Sequence, residues 1–422
     1  MTGMPTGWAL APINTFARSR SGNSKLIKGQ QAQEPAAGLF PAFSASGQDV
    51  WVAHPEHEGN AIIISAVGAR CGKTFRATGQ WSAVANTHIV WPEEIAVDTD
   101  WLQLLLNDEN FWEKGGSAQP FVKVNATFER EIPLPPLPEQ RRIARKLDTL
   151  SARSTTARSH LTAIEKLAER YRTAVLEAAF RTAWDAGCNT TIAGCLEHAE
   201  TGLVRSKAEQ TADEGYPYIR MNHYDLAGRW NDRDLTYVAA TSSEFERYQL
   251  RAHDLLFNTR NSAELVGKVA IWPEGKDGYL FNNNLLRMRF SEDVVPAFAF
   301  WQMSSPPFRR YIEGFISATT SVAAIYQRSL MAAPFWVPDT DEQHEIVRRI
   351  ETAFAKIDRL AAEAAKALKL VGHLDQRILA KAFAGDLVPQ DPTDEPAETL
   401  LARIREERLS AVKGKRVRKP SA

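Results

Sequence analysis

The segment Ser65–Phe75, SAVGARCGKTF, carries a Gly-Lys-Thr triplet soon after an apolar run and so has the composition of a phosphate-binding loop. A P-loop needs the pattern G-x-x-x-x-G-K-[ST], because four intervening residues wrap backbone N–H groups around the phosphates. Here only three residues separate Gly68 from Gly72. A helix should also follow the triplet, but the next residues form short β-type runs broken by Gly79 and Asn86. The sequence therefore argues against a nucleotide site.

A second copy of this segment lies later in the chain, in DLLFNTRNSAELVGKVAIW from Asp254 to Trp272. Gly72-Lys73 aligns with Gly267-Lys268 and Ser65 aligns with Arg260, both at an offset of 195 residues. Neither copy has the P-loop spacing. Each copy is predicted to form a strand, a turn that presents polar and basic groups, and a second strand.

Three other segments match fragments of catalytic or metal-binding motifs, and each match is weak. SSPPF (304–308) has serine in place of the asparagine of the N-P-P-F motif of amino-methyltransferases, and no glycine-rich cofactor motif precedes it. Asp254 with Glu274-Gly-Lys276 matches a nuclease D…E-x-K pattern that often occurs by chance. HPEHE (54–58) has two histidines around a proline, which a metal-binding helix would not tolerate. We assign catalysis and metal binding to no residue.

The composition indicates two or three domains without a strong charge bias. The chain has 422 residues, and Lys+Arg and Asp+Glu both total 51, so the net charge is zero. This balance weighs against a simple electrostatic DNA binder, unless basic residues are concentrated locally or a partner supplies the field. The three cysteines lack metal-ligand spacing, and we find neither a signal peptide nor an apolar run of about 18 residues. We expect a soluble protein of the reducing cytoplasm.

The organising feature of the sequence is a repeated helix. LPPLPEQRRIARKLDTLSAR around residue 139 matches VPDTDEQHEIVRRIETAFAK around residue 342, and the offset of 203 is kept over about 45 residues. Apolar and small residues then follow with alternating spacings of four and three, which is the pattern of a coiled-coil seam. The predicted seam includes Ile143, Leu147, Ala168 and Tyr171 in the first helix and Ile350, Ile357, Leu360, Ala364 and Leu374 in the second. Matching length and register favour pairing of the two helices with each other. The alternative is two ordinary core helices in separate domains.

Two globular segments of similar size alternate with the helices. Both are rich in short apolar runs, aromatic residues, Gly and Asn, and show little helical periodicity except near their ends. The predicted boundaries are 1–132 for the first globular domain, 133–187 for the first helix, 188–335 for the second globular domain, 336–387 for the second helix, and 388–422 for a linker, a short amphipathic helix and a basic, disordered tail.

This order, with PLPPLPEQRRIARKLD and VPDTDEQHEIVRRIE opening the two helices, resembles the DNA specificity (S) subunits of type I restriction-modification enzymes. DLLFNTRNSAELVGKVAIW and AGDLVPQDPTDEPAETLLARIREER are also similar to that family, so the resemblance covers nearly the whole chain. Two departures are that the second helix lacks the double proline and that the first globular segment is somewhat shorter than the second.

The resemblance implies an α+β fold in which two mixed α/β target recognition domains are separated by two long helices, with a pseudo-two-fold internal repeat. The helices would form an antiparallel coiled coil that sets the distance between the halves of a bipartite DNA target. Two methyltransferase (M) subunits and the restriction/translocase (R) subunits would bind this adaptor. S-adenosylmethionine, ATP and Mg would be used by those partners, so we expect no cofactor in this chain. A helix of about 46 residues is about 69 Å long, comparable with about two turns of B-DNA.

Given that resemblance, Arg, Lys, Asn and Gln side chains on the turns are candidates for contact with double-stranded DNA, because they suit base edges and phosphates. In the second domain, Lys268 would suit a phosphate. The alternative for every candidate is that it satisfies a turn backbone or lies in solvent. The candidates are Ser65, Arg70, Lys73, Arg76 and Asn86, with Thr87 behind them, in the first domain, and Arg220, Asn222, Asn258, Arg260, Asn261 and Lys268 in the second.

Two functions from different classes remain at this point. The first is a non-catalytic specificity subunit that reads DNA for a multisubunit methyltransferase and endonuclease. The second is a self-contained DNA methyltransferase or nuclease that carries its own recognition domains. Chain length weakens the second hypothesis, because two recognition domains and two helices consume the sequence.

Overall fold

The computed structural model describes residues 4–318 and 322–417 and contains both sheets and helices. The chain divides into two compact units, Met1–Ser159 with Leu368–Ala422, and His160–Ala367. Each unit contains one globular region and a part of each of two long helices. The predicted α+β class is confirmed.

The first globular region is built on two four-stranded sheets. One sheet has the order β2-β9-β6-β7 and is antiparallel, and the other has the order β4-β3-β8-β5 with β3 and β8 parallel. Its strands are β1 (Ala9–Pro12), β2 (Ala17–Ser21), β3 (Phe40–Ser44), β4 (Gly47–Val52), β5 (His57–Glu58), β6 (Ala61–Ser65), β7 (Thr74–Ala77), β8 (Gln80–Ala83), β9 (Thr87–Pro92), β10 (Lys114–Gly115), β11 (Phe121–Val122) and β12 (Glu131–Leu134). Its helices are α1 (Ile13–Phe16), α2 (Thr99–Leu106), α3 (Val124–Phe128) and a 3₁₀ turn at Lys28–Gln30, and the long helix α4 (Leu137–Ala186) follows.

The second globular region repeats this plan with two four-stranded sheets of its own. The sheet orders are β14-β22-β18-β20, which is antiparallel, and β15-β17-β16-β21, in which β16 and β21 are parallel. Its strands are β13 (Thr190–Thr191), β14 (Leu196–Thr201), β15 (Gln210–Thr211), β16 (Tyr216–Ile219), β17 (Thr236–Val238), β18 (Leu255–Asn258), β19 (Arg260–Asn261), β20 (Val269–Ile271), β21 (Leu280–Phe281), β22 (Leu285–Phe290), β23 (Ser317–Ala318), β24 (Ala323–Ala324) and β25 (Pro334–Phe335). Its helices are α5 (Ser242–Tyr248), α6 (Pro296–Ser304), α7 (Pro306–Glu313), α8 (Gln327–Met331) and 3₁₀ turns at Ile192–Cys195 and Lys207–Glu209, followed by α9 (Thr340–Ala384) and α10 (Ala397–Val417).

Strand β6 lies at the centre of the first globular region, and strand β18 lies at the centre of the second. Both are buried along their whole length, as expected for an apolar strand that is covered on both faces. Successive residues point to opposite faces of a strand. Ile62 and Ile64 therefore enter one hydrophobic core, whereas Ala61 and Ile63 enter another. This double coverage fixes the register of the hairpin that follows each central strand.

A pair of glycines shows that the repeat extends into the globular regions. The backbone N–H of Gly22 donates to Thr87 O at 2.9 Å, and that of Gly202 donates to Leu285 O at 3.1 Å. A Cβ atom at Gly22 or Gly202 would lie 2.2 Å from its nearest neighbour, so a side chain at either position would clash. The structure thus repeats the same close backbone approach where the two sequences are otherwise dissimilar.

The long helices span 50 residues in α4 and 45 residues in α9. In the first unit, Arg158 pairs with Asp375 at 2.7 Å, and in the second unit Arg172 pairs with Asp358. Ile143 also shares a hydrophobic core with Ala382 in the first unit, as Leu176 does with Ile350 in the second. Within each unit the contacts thus move towards the end of α4 as they move towards the start of α9, so the two helices run antiparallel, as the resemblance implies. Several predicted seam residues, including Ile143, Leu147, Ile350 and Ile357, are buried.

The predicted seam was wrong at three of its large residues. Tyr171, Leu360 and Leu374 were placed in it, but they are 62%, 55% and 52% exposed. A straight α-helix drifts by about 20° per heptad relative to a 3.5-residue repeat. A stripe with that repeat is therefore not held against the partner helix at every position, and the large Tyr171 and Leu360 are exposed although the neighbouring seam residues Ala168 and Ala364 are buried.

A Glu-Gln pair stands at the start of each long helix, and the glutamine of each pair has a clear structural role. Gln140 Nε2 donates to Ala96 O and Pro135 O at 2.9 Å, and its Oε1 accepts from Asp98 N at 2.8 Å. Gln343 makes the equivalent three bonds to Asp293 O, Pro338 O and Val295 N. Each buried glutamine thus fastens the first turn of a long helix to the globular region of its own unit.

The glutamates of the two pairs differ in environment. Glu139 is buried and accepts a hydrogen bond from Trp8 Nε1 at 3.0 Å, while the neighbouring Arg142 pairs with Asp394 at 2.6 Å. Burial raises the pKa of the Glu139 carboxyl. Glu342 is exposed. The chain segments near both termini therefore cover the start of α4, whereas no such cover exists over Glu342 within the described residues.

The C-terminal helix α10 is longer than the short helix that we predicted. The basic tail falls partly on residues 418–422, which lie outside the described residues. None of the helices in the described ranges combines the length and apolar character that a membrane span requires.

Candidate nucleic-acid interface

The two hairpins identified from sequence adopt the same backbone geometry. Ser65 N donates to Lys73 O at 2.8 Å and Gly72 N donates to Ser65 O at 2.9 Å. In the second region, Asn258 N donates to Lys268 O at 2.9 Å and Gly267 N donates to Asn258 O at 2.8 Å. Both loops return into a strand, so neither opens a helix as a P-loop does.

This geometry corrects the alignment of Ser65 with Arg260. Ser65 and Asn258 are the last residues of the central strands β6 and β18 and close the same pair of hydrogen bonds. The residue equivalent to Ser65 is therefore Asn258, and the second loop is two residues longer. The offset of 195 holds for the glycine and lysine after the loop and for the strand that follows them, β7 in the first region and β20 in the second.

In the first region the exposed candidates lie at the end of β6. Arg70 is exposed and Lys73 is half-buried, and neither side chain has a hydrogen bond or ion pair to the described residues. Asn86 is exposed with φ of 66°, a left-handed conformation that asparagine tolerates, and its carbonyl accepts from Ala66 N at 2.9 Å. The structure therefore brings Arg70 and Asn86 onto loops that adjoin the same strand end.

The remaining candidates of the first region are buried or make contacts within the protein. Ser65 and Thr87 are buried, and Thr87 Oγ1 donates to Val84 O at 2.7 Å. Arg76 lies on β7 and forms an ion pair with Asp100. These contacts give Arg76 and Thr87 structural roles, and DNA contact by either stays a prediction.

In the second region Asn222 and Arg260 are exposed. No partner of the Arg260 side chain is present in the part of the chain that the structure describes. Arg220 is half-buried, and its guanidinium donates to Asp234 O at 3.0 Å. Asn261 donates to Asn258 Oδ1 at 2.9 Å. The structure therefore favours Asn222 and Arg260 among the predicted contacts of this domain.

Two candidates of the second domain are buried. Asn258 is fully buried and Lys268 is 6% exposed. Asn258 Nδ2 donates to Arg260 O and Asn284 O, both at 3.2 Å. The Lys268 ammonium donates to two backbone carbonyls. Neither side chain faces solvent, so the predicted direct contacts have no support from this geometry.

The turn FNNNLL (281–286) holds the second hairpin in place. Asn284 O accepts from Thr259 N at 2.9 Å and from Thr259 Oγ1 at 3.0 Å. Its equivalent in the first region is Asn86, whose carbonyl accepts from Ala66 N. Sequence analysis missed this equivalence, because the only signal was an asparagine at the end of a turn in each copy.

The structure separates the three groups of the nuclease-like pattern. Asp254 is buried and pairs with Arg289 at 2.6 Å, beside the buried Arg287. Burial, reinforced by repulsion from Arg289, lowers the pKa of Arg287 to about 10. Glu274 instead pairs with His253, and Lys276 pairs with Asp232. The carboxylate of Asp254 is thus held by arginines rather than facing the other two groups.

The other two motif fragments also have structural explanations. Ser305 lies before the two prolines that open α7, and its Oγ donates to Gln302 O at 2.6 Å. His57 packs against the Trp81 ring with the centroids 4.7 Å apart. Within the described ranges, no cluster of three His, Cys, Asp or Glu side chains is arranged to hold a metal ion.

Comparison with known proteins gives the family of the chain. A family model described as the type I restriction modification DNA specificity domain matches residues 54–166 and 192–369, one segment in each half of the chain. The EcoKI specificity subunit of Escherichia coli (strain K12) is 30% identical over 311 residues, which cover 69% of this chain and 66% of that subunit. The EcoDI specificity subunit of Escherichia coli is 26% identical over 419 residues, which cover 91% of this chain and 92% of that one.

Two solved structures share the fold. A chain of a type I R-M system, solved in work on its complex assembly and conformational transition, has a TM-score of 0.65 at 16% identity and covers 92% of this chain. The HsdS subunit from Thermoanaerobacter tengcongensis has a TM-score of 0.62 at 18% identity and covers 91% of this chain. With the duplicated sheets and helices, these findings place the chain in the family of type I restriction-modification DNA specificity subunits.

Proposed function

We propose that this chain reads a bipartite DNA sequence for a type I restriction-modification complex, with one half-site bound by each globular region. The observation that carries this proposal is the duplicated hairpin, which follows a buried central strand and carries an exposed arginine in each copy, Arg70 in the first and Arg260 in the second. Arg70 and Asn86 would serve one half-site, and Asn222 and Arg260 the other. Guanidinium and amide groups of this kind make bidentate contacts to base edges.

Two methyltransferase subunits and the restriction/translocase subunits are the proposed protein partners. An apolar groove of about 580 Å³ on the long helices of the second unit supports docking of a partner there. Leu167, Tyr171 and Leu360 line this groove and are each more than half exposed. Exposed apolar side chains on a helix pair are typical of an interface. The complex would act on DNA in the cytoplasm.

The proposed role is non-catalytic, with S-adenosylmethionine, ATP and Mg used by the partner subunits. The purified chain, incubated alone with labelled S-adenosylmethionine and DNA, should transfer no methyl group. Addition of the methyltransferase subunits should start sequence-specific methylation. Methyl transfer or DNA cleavage by the chain alone would instead support the second candidate, a self-contained enzyme.

A further inference from the structure

The Lys268 side chain lies in an unusual place for a basic residue of a DNA-reading loop. It is 6% exposed, and its ammonium donates to Tyr224 O at 2.7 Å and to Met221 O. The ammonium also lies 4.6 Å from the centroid of the Tyr224 ring. Burial lowers the pKa of Lys268, and the Asp225 carboxylate opposes this effect. Two carbonyls and one aromatic face thus replace the water that the ammonium loses.

The carbonyls belong to the connection between β16 and β17, residues 220–235, which is closely hydrogen-bonded within itself. Arg220 N donates to His223 Nδ1 at 3.0 Å, and His223 N donates to Arg220 O at 3.0 Å. His223 O accepts from Asn231 N at 2.8 Å. His223 and Tyr224 are buried, whereas Asn222, which lies in sequence between the two residues whose carbonyls bind the lysine, is exposed. Lys268 therefore fixes the segment that presents Asn222.

Asn258, opposite Lys268 on the neighbouring strand, fixes a second surface segment. Its backbone N–H donates to Lys268 O at 2.9 Å. The side-chain Nδ2 of Asn258 donates hydrogen bonds to the carbonyls of Arg260 and Asn284, and its Oδ1 accepts one from Asn261 Nδ2. The two adjacent buried residues thus connect the segments that carry Asn222 and Arg260.

The first globular region provides a natural comparison. Lys73 occupies the position equivalent to Lys268, directly after the glycine of the hairpin. There, β3 and β4 are joined by only Ala45 and Ser46, in place of the long connection between β16 and β17. Lys73 is half-buried, and its side chain has no hydrogen bond or ion pair among the described residues.

We propose that Lys268 is a positioning residue that sets the sequence preference of the second recognition domain without contacting phosphate, whereas Lys73 is free to contact phosphate. This inference rests on the proposed function and replaces the prediction that Lys268 binds a phosphate. The ammonium of Lys268 is already bound to two carbonyls, so a phosphate contact would require the 221–224 segment to be released.

The test compares Lys268→Met with Lys73→Met in the full chain assembled with its methyltransferase subunits. Binding is measured against salt concentration for the methylated motif, for the motif with either half-site scrambled, and for unrelated duplex DNA. Each phosphate contact adds about 0.9 to the slope of log K against log salt. For Lys268→Met we expect an unchanged slope and about a tenfold or greater loss of discrimination at one half-site only, which is the scale of one lost base contact. For Lys73→Met we expect a slope shallower by about 0.9, with discrimination kept at both half-sites.

A shallower slope for Lys268→Met, or discrimination kept at both half-sites, would overturn the proposal. A uniform loss of binding to every duplex would overturn it as well, since that is what a merely structural lysine gives. If Lys268→Met does not assemble with the methyltransferase subunits, Lys268→Gln is the substitute, because it removes the charge but keeps an N–H₂ donor. A shallower salt slope for Lys268→Gln would overturn the proposal, and an unchanged slope would support it. Absence of any half-site preference in the wild-type complex would refute the proposed function instead.

Discussion

At the scale of single residues, burial separates the side chains that hold the hairpins from those available to a ligand. Ser65, Asn258 and Lys268 are buried at the strand ends, whereas Arg70 and Arg260 point into solvent. A buried amide or ammonium must find partners inside the protein, because an unpaired polar group costs roughly 1–3 kcal/mol. The residues that sequence analysis ranked together by chemical type therefore have two different roles.

Replacing Arg260 with alanine should relax one base of one half-site. The guanidinium has no partner among the described residues, so its removal leaves the fold intact. A bidentate contact to guanine is worth about 1–3 kcal/mol of discrimination. Methylome sequencing of a host that carries Arg260→Ala should show the degenerate base, with the thermal unfolding temperature unchanged. Arg70→Ala is the matched variant and should affect only the other half-site. Full specificity in both variants would exclude the two loops as readers.

The residue types at the site could be predicted from the sequence, but which of their side chains face solvent and which are buried could not. The glycine-lysine pair and the polar loop before it were identified in both copies, and both form strand–turn–strand hairpins. Burial of Lys268 depends on the connection 220–235, which is distant in sequence and has no counterpart in the first copy. No local pattern around Lys268 contains that information.

At the scale of elements, the most predictable feature is the long helix, because its repeat and its start signal are both local. The least predictable is its packing, since Tyr171 and Leu360 follow the heptad pattern but are exposed. A small drift per turn accumulates over 50 residues in α4. The sequence pattern assigned these exposed residues to the seam, but their exposure leaves them available to a partner.

Replacing Gln343 with alanine should destabilise the second unit. The side chain makes three hydrogen bonds in a buried setting, to Val295 N, Asp293 O and Pro338 O. Leaving these groups without a partner should lower the free energy of unfolding by roughly 2–4 kcal/mol. Chemical denaturation of the purified chain would measure this, with His344→Ala on the exposed side of the same turn as control. Equal stability of the two variants would contradict the fastening role of the glutamine.

Replacing Glu139 with glutamine should make the first unit increasingly stable relative to the wild type as the pH rises. Burial raises the pKa of Glu139 above its ordinary value of 4.5, so the folded state prefers the neutral carboxyl. The stability from that preference is fully present below the ordinary value and is lost as the pH rises through the raised one. A glutamine keeps an oxygen for Trp8 Nε1 and carries no charge. The difference in unfolding temperature between variant and wild type should grow in favour of the variant as the pH rises from 4.5 through the raised pKa of Glu139.

The control for this prediction is Glu342→Gln, at the equivalent but exposed position of α9. Its unfolding temperature relative to wild type should not change with pH. A pH-independent difference for Glu139→Gln, or equal behaviour of both variants, would show that burial of Glu139 has no energetic consequence.

At the scale of the whole molecule, the chain passes between its two units inside helices. The boundary at Ser159/His160 falls within α4, and the boundary at Ala367/Leu368 falls within α9. A helix interior has a fixed rise and a fixed rotation per residue, unlike a flexible linker. If the two globular regions read the two halves of a DNA target, as we propose, two such connections would set the distance between the halves.

Lengthening both helices should therefore lengthen the spacer of the DNA target. Seven residues inserted at these boundaries in both α4 and α9 keep the apolar stripe in phase, because a heptad is close to two helical turns. The insertion adds about 10 Å at 1.5 Å per residue, or about three base pairs at ~3.4 Å each. Methylome sequencing should show both half-sites with a spacer longer by about three base pairs, at reduced activity because the addition also rotates one reader about the duplex. Four residues inserted into α4 alone shift the stripe out of register with α9 and should abolish methylation. An unchanged spacer in the seven-residue variant, or methylation at independent half-sites, would show that the helices do not set the distance.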